Sequence, residues 1–305
     1  MLADRPTCDI LCIGGAVMNR KHRTIGPLVA GTSNPSSVSH SFGGVARNVA
    51  EVLAKLGSSV GLVSVVGEDE AGQTIRLHAK ALGIKVTALA VTADAVTADY
   101  TAVFDADGDL AFGLAAMGIF DQLKPAVVDA AWSSVAPEGW IFADCNCSAE
   151  TLAHITTLAG SSRRKLAVDT VSVAKAQRLP EDLSPIDVLF TNTDEAASLA
   201  GNPNTPKSLA KAIQHRGARA VVLTLGSEGH LVCSEDEVMQ PPAMAAKVVD
   251  VSGAGDALIA GTLYGLMAGR SLLDASRLGA KLAALTVESP LDVRPDISAD
   301  TVRVD

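Results

Sequence analysis

Aromatic side chains and positive charge are both scarce in this sequence. Of 305 residues, 6 Phe, 2 Tyr and 2 Trp are aromatic, and 25 Lys and Arg stand against 34 Asp and Glu, a formal net charge of -9. Because no excess of cations is present to displace counterions from phosphates, we expect no nucleic-acid partner. An anionic ligand must therefore be held by local groups. The hydrophobic content of 48% excludes a disordered chain.

The sequence also lacks a secretory leader, an apolar run of membrane length and paired cysteine motifs. Its first residues show no basic stretch followed by an apolar one. The longest uncharged stretches fall well short of the ~20 residues that a membrane helix needs. The five cysteines are odd in number, and Cys145 and Cys147 have no second ligand pair. We therefore expect a cytoplasmic protein with reduced thiols and no membrane contact.

Short apolar runs alternate with helical periodicity through most of the chain. Glycines follow the first two helical patterns, where they are typical helix ends. This alternation predicts a mainly parallel sheet covered by helices on both faces. The predicted strands cover residues 10–13, 60–66, 166–169, 188–190 and 220–225, and the predicted helices cover residues 45–56, 75–82, 258–267 and 278–285.

Two segments break this rhythm. Residues 16–42 are polar and rich in turn formers, and residues 96–115 alternate between polar and apolar positions around a hairpin turn at 105–109. We interpret both as strands of a small accessory sheet. Because no linker separates them from the rest, the sheet is expected to be inserted into a single domain spanning residues 1–305.

The strongest chemical motif lies at residues 247–261. A predicted apolar strand runs into Ser252, Gly253, Ala254 and Gly255, and an apolar helix starts near Asp256. Small residues and a helix N-terminus let N–H groups converge on phosphoryl oxygens. Asp256 then stands where a carboxylate can take the proton of an attacking hydroxyl, an effect of about 10²–10⁴-fold in rate. The alternatives are a plain helix cap and a dinucleotide fingerprint, but the latter requires a third glycine where Leu258 stands.

Three further patterns follow predicted strands. A paired glycine turn precedes a helix that carries Asn48, which suits contact with sugar hydroxyls. Two polar residues three apart on a starting helix suit hydrated magnesium. A glycine turn after another strand suits phosphate or ribose. A loop–helix junction, a helix cap and a hairpin turn are the alternatives, but four such patterns at strand ends favour a ligand site. The residues concerned are Gly43, Gly44 and Asn48; Asn192 and Glu195; and Thr224, Gly226 and Gly229.

On these motifs the sequence resembles the ribokinase-like (PfkB) family of carbohydrate and nucleoside kinases over essentially its whole length. The resemblance implies an α/β three-layer sandwich with a mainly parallel central sheet and a small β-sheet lid, in which residues 16–42 and 96–115 form the lid. It also implies ATP, Mg²⁺ and K⁺ as cofactors, a small-molecule sugar or nucleoside substrate, and a homodimer formed through the lid.

The resemblance implies a role for each matching position. Asp256 is the expected base, and the N–H groups of Gly253, Ala254 and Gly255 form the expected anion hole. The remaining expected contacts are Asn19, Ser33, Asn34, Gly43, Gly44, Asn48 and Asp169 for the substrate; Thr224, Gly226 and Gly229 for the nucleotide; Asn192 and Glu195 for nucleotide phosphate and for Mg²⁺ through water; and Asp250, Ser252 and Ser289 for the monovalent cation.

Within the family, the sequence is most similar to pseudouridine kinases, on residues 32–35, 43–48, 143–146 and 168–172. Val45 stands where ribokinases carry a lysine. The similarity implies phosphorylation of the 5′-hydroxyl of pseudouridine. Two departures concern the substrate: Asn19 replaces an aspartate that binds sugar hydroxyls, and residues 116–118 lack acidic side chains. Phosphorylation of another sugar or nucleoside (ribose, fructose or adenosine), an inactive sensor and a dinucleotide-dependent dehydrogenase are the alternatives.

Overall fold

The computed structural model describes residues 7–201, 205–235 and 237–302. The strands are β1 (Cys8–Ile13), β2 (Val17–Thr24), β3 (Ser36–Gly43), β4 (Val60–Gly67), β5 (Lys85–Thr92), β6 (Asp99–Phe104), β7 (Leu110–Ala116), β8 (Val135–Asp144), β9 (Lys165–Asp169), β10 (Val188–Asn192), β11 (Ala220–Thr224), β12 (His230–Ser234) and β13 (Glu237–Met239). The helices are α1 (Val45–Lys55), α2 (Glu70–Ala81), α3 (Pro125–Trp132), α4 (Ala149–Gly160), α5 (Val173–Ala176), α6 (Thr193–Ala200), α7 (Pro206–His215), α8 (Ala254–Met267) and α9 (Leu272–Thr286).

Several helices begin at the side-chain caps that their sequences supply. Asp69, Ser148 and Ser271 each accept an N–H from the third residue that follows, at the starts of α2, α4 and α9. Such a cap stabilises a helix by about 1 kcal/mol because it satisfies an N–H group that has no partner within the helix. The helices predicted over residues 45–56, 75–82, 258–267 and 278–285 are confirmed.

The main sheet has the strand order β13-β12-β11-β10-β9-β8-β1-β4-β5. Strands β5 to β11 in this order pair in parallel, whereas β12 and β13 add antiparallel pairs at one edge. All eight residues of β4 are buried, as expected for a parallel strand with both faces covered. The predicted mainly parallel sheet is confirmed.

Two separate hydrophobic clusters flank the main sheet. In β1, Leu11 and Ile13 belong to one cluster, and Ile10 and Cys12 belong to the other, because successive side chains of a strand point to opposite faces. Helices α3, α4, α6 and α7 pack in the first cluster, and α1, α2, α8 and α9 pack in the second. The protein is therefore a three-layer sandwich, which confirms the expected fold class.

The predicted segments 16–42 and 96–115 contain, to within one residue, four strands that form a second sheet in the order β3-β2-β6-β7. Its register places Asn19 and Lys21 on one face, which meets the main body through the contacts described below. The opposite face carries Val38, Phe112 and Leu114, which are 51%, 46% and 60% exposed. We call these the inner and outer faces of the small sheet.

The strand predicted to lead into Ser252 is absent: residues 240–252 contain no regular secondary structure. The N–H groups of Val249 and Asp250 both donate to the carbonyl of Val287, just after α9, at 2.7 and 3.2 Å. Val248 and Val251 are 63% and 70% exposed. The apolar run therefore anchors to a helix end rather than to the sheet, which explains why its strand-like composition misled the prediction.

Among the residues described, no helix is long and apolar enough to cross a membrane. The five cysteines all lie in this part of the chain, are buried and form no disulfide. Burial raises the pKa of the Cys12, Cys145 and Cys147 thiols well above the ordinary value, because an apolar environment disfavours the thiolate. The cysteines therefore serve as apolar packing groups.

Candidate active site

A cavity of about 190 Å³ opens where β9, β10 and β11 end and α8 begins. In parallel sheets this carboxyl-terminal edge is the usual place for ligands. At least one residue predicted for each of catalysis, metal, nucleotide and substrate lines this cavity. The predicted residues that line it are Asp169, Asn192, Glu195, Thr224, Gly255 and Asp256.

The turn before α8 depends on a close approach between two backbone segments. Gly253 has φ 77°, and a Cβ added there would lie 1.8 Å from the carbonyl oxygen of Asp292. A Cβ on Gly255 would meet nothing within 4 Å. The Ala254 N–H donates to Val251 at a long 3.3 Å. The first N–H groups of a helix have no intrahelical partner, so this turn can present donors to an anion, and its role as an anion hole stays a prediction.

Asp256 lies in the first turn of α8, and its Oδ2 accepts a 2.6 Å hydrogen bond from Nδ2 of Asn48 in α1. Burial is the main reason that the pKa of Asp256 is raised to about 7. The Asn48 hydrogen bond acts in the opposite direction, while the charges of Asp292 and Asp144 add to the increase. A carboxylate with this pKa is well matched to general-base catalysis near neutral pH.

Asn192 and Glu195 form a reciprocal cap at the start of α6. The Glu195 N–H donates to Asn192 Oδ1 at 2.9 Å, and Asn192 Nδ2 donates to Glu195 Oε1 at 2.8 Å. Glu195 Oε2 accepts from the Thr170 hydroxyl. The helix cap and the cavity position therefore coexist. No group of three His, Cys, Asp or Glu side chains placed to hold a metal occurs in residues 7–201, 205–235 and 237–302.

Asp169, at the end of β9, contributes a third carboxyl to the cavity, besides Asp256 and Glu195. Burial, followed by the charges of Glu195 and Asp256, raises its pKa well above the ordinary value. The Val171 N–H donates to Asp169 Oδ2 at 3.0 Å, and Val171 has φ 66°. This conformation costs a β-branched residue on the order of 1–3 kcal/mol, so the surrounding contacts hold the turn against strain.

The paired glycine turn before α1 packs against the start of the small sheet. A Cβ on Gly43 would lie 2.4 Å from Nδ2 of Asn19, and one on Gly44 would lie 2.4 Å from the Gly15 carbonyl oxygen. Asn19 Nδ2 donates to Oδ2 of Asp292 at 2.7 Å. Gly43 therefore allows Asn19 to approach the site, Gly44 allows the close contact with the Gly15 backbone, and Asp292 fixes the orientation of the Asn19 amide.

Not every predicted residue reaches the cavity. Ser33 and Asn34 lie in the loop from β2 to β3, where the Asn34 side chain bonds Val29 and Thr32 of its own loop. Gly226 and Gly229 form the turn after β11, outside the cavity lining. Their roles stay predictions.

Three charged side chains near the site were not predicted from the sequence, and Asp144 is the most buried of them. It has no exposed surface, and its carboxylate accepts N–H groups of Gly15, Ala46 and Asn146 at 2.9, 2.8 and 2.9 Å. Burial raises its pKa, although these bonds act in the opposite direction. A carboxylate at the last residue of the apolar strand β8 was the signal that could have identified it. Lys21 and Asp292, the other two, belong to no sequence pattern.

Comparison with known proteins agrees with this geometry. Residues 8–297 match the family described as pfkB family carbohydrate kinase. The chain is 30% identical to an uncharacterized sugar kinase of Escherichia coli K12, YeiI, over 88% of this chain and 75% of that protein. It is 28% identical to the pseudouridine kinase of the same organism, over 88% and 87%. A solved carbohydrate kinase from Agrobacterium tumefaciens shares 31% identity and a TM-score of 0.83, over 96% and 95%.

The family match covers nearly the whole chain, and the solved structure has the same architecture over nearly the whole of both chains. The site combines a carboxylate near neutral pKa with a helix N-terminus at the ligand edge of the sheet. This arrangement suits phosphoryl transfer to a hydroxyl group. The chain belongs to the pfkB family of carbohydrate kinases.

Proposed function

We propose that the protein transfers the γ-phosphoryl group of ATP to the 5′-hydroxyl of a nucleoside, with pseudouridine as the substrate. The observation that carries the proposal is the convergence of Asp256 and Gly255 with Asn192, Glu195 and Thr224 on one cavity. A base, anion donors and phosphate-binding groups are the parts that phosphoryl transfer requires.

In the proposed reaction Asp256 accepts the proton of the substrate hydroxyl. The hydroxyl oxygen forms a bond to the γ-phosphorus, and the bond from this phosphorus to the bridging oxygen breaks, which releases ADP. The N–H groups at the start of α8 stabilise the charge on the transferred group. Asn48 holds the Asp256 carboxylate in place at 2.6 Å. The small sheet covers the site and excludes water, which would otherwise compete as acceptor.

The residues present fit a magnesium ion that contacts the protein through water. Glu195 Oε2 accepts two protein hydrogen bonds and Oε1 accepts one, and contact with the ion through a water molecule leaves all three in place. Hydrated Mg²⁺ commonly needs only one or two carboxylates besides substrate phosphates. When bound, the ion neutralises charge on the nucleotide phosphates. Asn192 and Glu195 are the residues that would hold it, through water.

The choice of pseudouridine is supported by the similarity to a pseudouridine kinase, whereas the site around Asn19 suits any substrate that carries a hydroxyl. Asn19 is neutral, but its amide bonds the buried carboxylate of Asp292 at 2.7 Å. This bond leaves the Asn19 carbonyl oxygen to accept a substrate hydroxyl. The similarity to YeiI, a sugar kinase without a stated substrate, keeps other sugars as the second candidate class.

The test is ADP release with Mg-ATP and a panel of pseudouridine, uridine, adenosine, ribose and fructose, with product analysis by mass spectrometry. The expected result is preferential formation of pseudouridine 5′-phosphate by the natural protein and not by Asp256→Asn. Preferential turnover of another member of the panel would refute the proposed substrate. Nucleoside binding without any ADP release would favour a sensor.

We further propose that two copies pair through the outer face of the small sheet. Val38, Phe112 and Leu114 form an exposed apolar face there, and β7 lies at the edge of that sheet. Burial of such a face is favourable by roughly 25 cal/mol per Å². Light scattering should find a dimer that Leu114→Lys dissociates and that Leu77→Lys, at a 58% exposed site on α2, leaves intact.

The proposed compartment is the cytoplasm. The five buried cysteines form no disulfide. Reduced thiols are typical of proteins in that compartment. Fractionation of cells that express the full chain should recover it with cytoplasmic markers, and recovery in a secreted or membrane fraction would refute the assignment.

A further inference from the structure

We propose that the ammonium group of Lys21 is a built-in monovalent cation, which takes the place of the potassium ion that the family resemblance implies beside the anion hole. The inference rests on the proposed kinase function. Lys21 is in this view a positioning residue, because it acts on the turn 252–255 through Asp250 and Asp292 and does not itself touch the substrate.

Lys21 extends from the small sheet to two carboxylates of the main body. It lies on the inner face of β2, opposite Ser39 and Ala102 of the neighbouring strands. Its Nζ is 2.8 Å from Asp250 Oδ2 and 3.8 Å from Asp292 Oδ1. The Lys21 side chain is only 25% exposed, so this contact is not a fully solvated surface pair.

Both carboxylates border the anion-binding turn, on opposite sides. Asp250 Oδ1 accepts the Ser252 N–H at 2.8 Å. The backbone carbonyl of Asp292 lies against Gly253 so closely that no Cβ fits between them. An ammonium that attracts both carboxylates therefore holds the two sides of the turn together. The N–H groups of this turn are the expected donors to the transferred phosphoryl group.

The residues present do not fit a potassium ion well. Both oxygens of Asp250 are engaged, one by Lys21 and the other by Ser252. The Ser289 hydroxyl oxygen accepts the Leu291 N–H at 3.1 Å. A potassium ion bound to the Asp250 carboxylate would lie next to the Lys21 ammonium, which is 2.8 Å from Oδ2, and the two positive charges would repel each other.

The carboxylate of Asp292 supplies a second observation in support of the role of Lys21, besides the contact with Asp250. It is 7% exposed, and its Oδ1 is buried without a hydrogen-bond partner. Burial raises the pKa of Asp292, and the nearby charge of Lys21 favours the ionised form, because an unpaired charge in a protein interior is strongly unfavourable. Lys21 lies within ion-pair distance of this oxygen. The charge of Lys21 is thus shared between two carboxylates that would otherwise repel each other.

The test compares the natural protein with Lys21→Met in buffers whose only cation besides Mg²⁺ is tetramethylammonium, with or without added ammonium or potassium. The natural protein should show the same rate of ADP release in all three. Lys21→Met should lose about 10²-fold in kcat, the size typical of damage to an anion hole. Added ammonium or potassium should restore at least about a tenth of the natural rate. Arg20→Met, on the outer face, is the matched control and should need no rescue.

A second readout needs no turnover. Potassium or ammonium should raise the melting temperature of Lys21→Met and leave that of the natural protein unchanged, because only the variant has a vacant cation position. This measurement decides the role of Lys21 independently of activity. If no nucleoside is phosphorylated, that result refutes only the proposed function.

Three results would overturn the inference. The first is a natural protein whose rate or melting temperature depends on potassium. The second is a Lys21→Met variant with natural activity in tetramethylammonium. The third is a folded, inactive Lys21→Met variant, checked by circular dichroism, that neither cation rescues. If Lys21→Met does not fold, Lys21→Gln provides the same comparison with an uncharged polar side chain.

Discussion

The raised pKa of Asp256 predicts how the rate depends on pH. Asp256 can act as a base only when it is deprotonated, and its pKa is about 7. The active fraction is then about one tenth near pH 6 and about nine tenths near pH 8, so kcat/KM should rise roughly tenfold over that interval. An aspartate with an ordinary pKa of about 3.9 would give a flat profile there.

Asn48→Ala changes this profile in a direction that the structure fixes. The Asn48 hydrogen bond stabilises the charged carboxylate and so lowers the pKa of Asp256. Its removal should raise that pKa and move the midpoint of the profile to higher pH. The exposed Asp274 on α9 pairs with Arg277 and lies outside the cavity lining, so Asp274→Asn should leave the midpoint where it is.

The assay is ADP release at saturating Mg-ATP and limiting nucleoside, measured between about pH 5 and pH 9. The Asp256→Asn variant is the control for effects of pH on ATP, which are the same in both proteins. Its residual rate, lower by about 10²–10⁴-fold, should not show the rise between pH 6 and pH 8. A profile of the natural protein that is flat from pH 6 to pH 8 would refute the assignment of Asp256 as a base with a raised pKa. An unchanged midpoint in Asn48→Ala would refute the role given to Asn48.

Three further predictions concern the frame of the site. Gly253→Ala should lower the melting temperature and cut kcat by about 10²-fold or more, because its Cβ would lie 1.8 Å from the facing carbonyl oxygen of Asp292. The control variant Gly255→Ala should keep the natural melting temperature, because its Cβ would meet nothing within 4 Å. Equal melting temperatures of the two variants would contradict the close approach at Gly253. Asp144→Leu should lower the free energy of unfolding in urea by about 1–3 kcal/mol or more, because three buried N–H groups lose their acceptor; a change below the error of the fit would contradict this. Glu195→Gln should raise the Mg²⁺ concentration needed for half-maximal rate, and an unchanged requirement would limit Glu195 to capping α6.

Local motifs were sufficient to predict much of the site. The glycine turn and Asp256 lie within a few residues of one another, so their geometry follows from one turn and one helix start. Asn192 and Glu195 are three apart, and the same spacing produces both the helix cap and the cavity position. The fold class was predictable for a related reason: each buried strand and each helix stripe is a periodic pattern within about ten residues.

Contacts between distant parts of the chain were not predictable. The pairs Asn19–Asp292 and Lys21–Asp250 join residues 273 and 229 positions apart. Before the small sheet is placed on the main body, nothing in the sequence around Lys21 distinguishes it from the basic residues beside it. The prediction of a strand before Ser252 was wrong. An apolar composition does not by itself place a segment in a sheet, and the Val248 and Val251 side chains are exposed to solvent.

The two-residue period of β2 makes the enzyme sensitive to length changes that alter no functional side chain. Residues 14–16 connect β1 to β2 and so set which side chains of β2 face the cavity. A single residue inserted in this connection, with the pairing of the small sheet to its neighbours otherwise kept, would present Arg20 in place of Lys21 to the main body. Asn19 would then point outward together with Lys21. An insertion of two residues would restore the alternation but place Asn19 where Lys21 lies, so either insertion should remove the ammonium from Asp250 and lower activity.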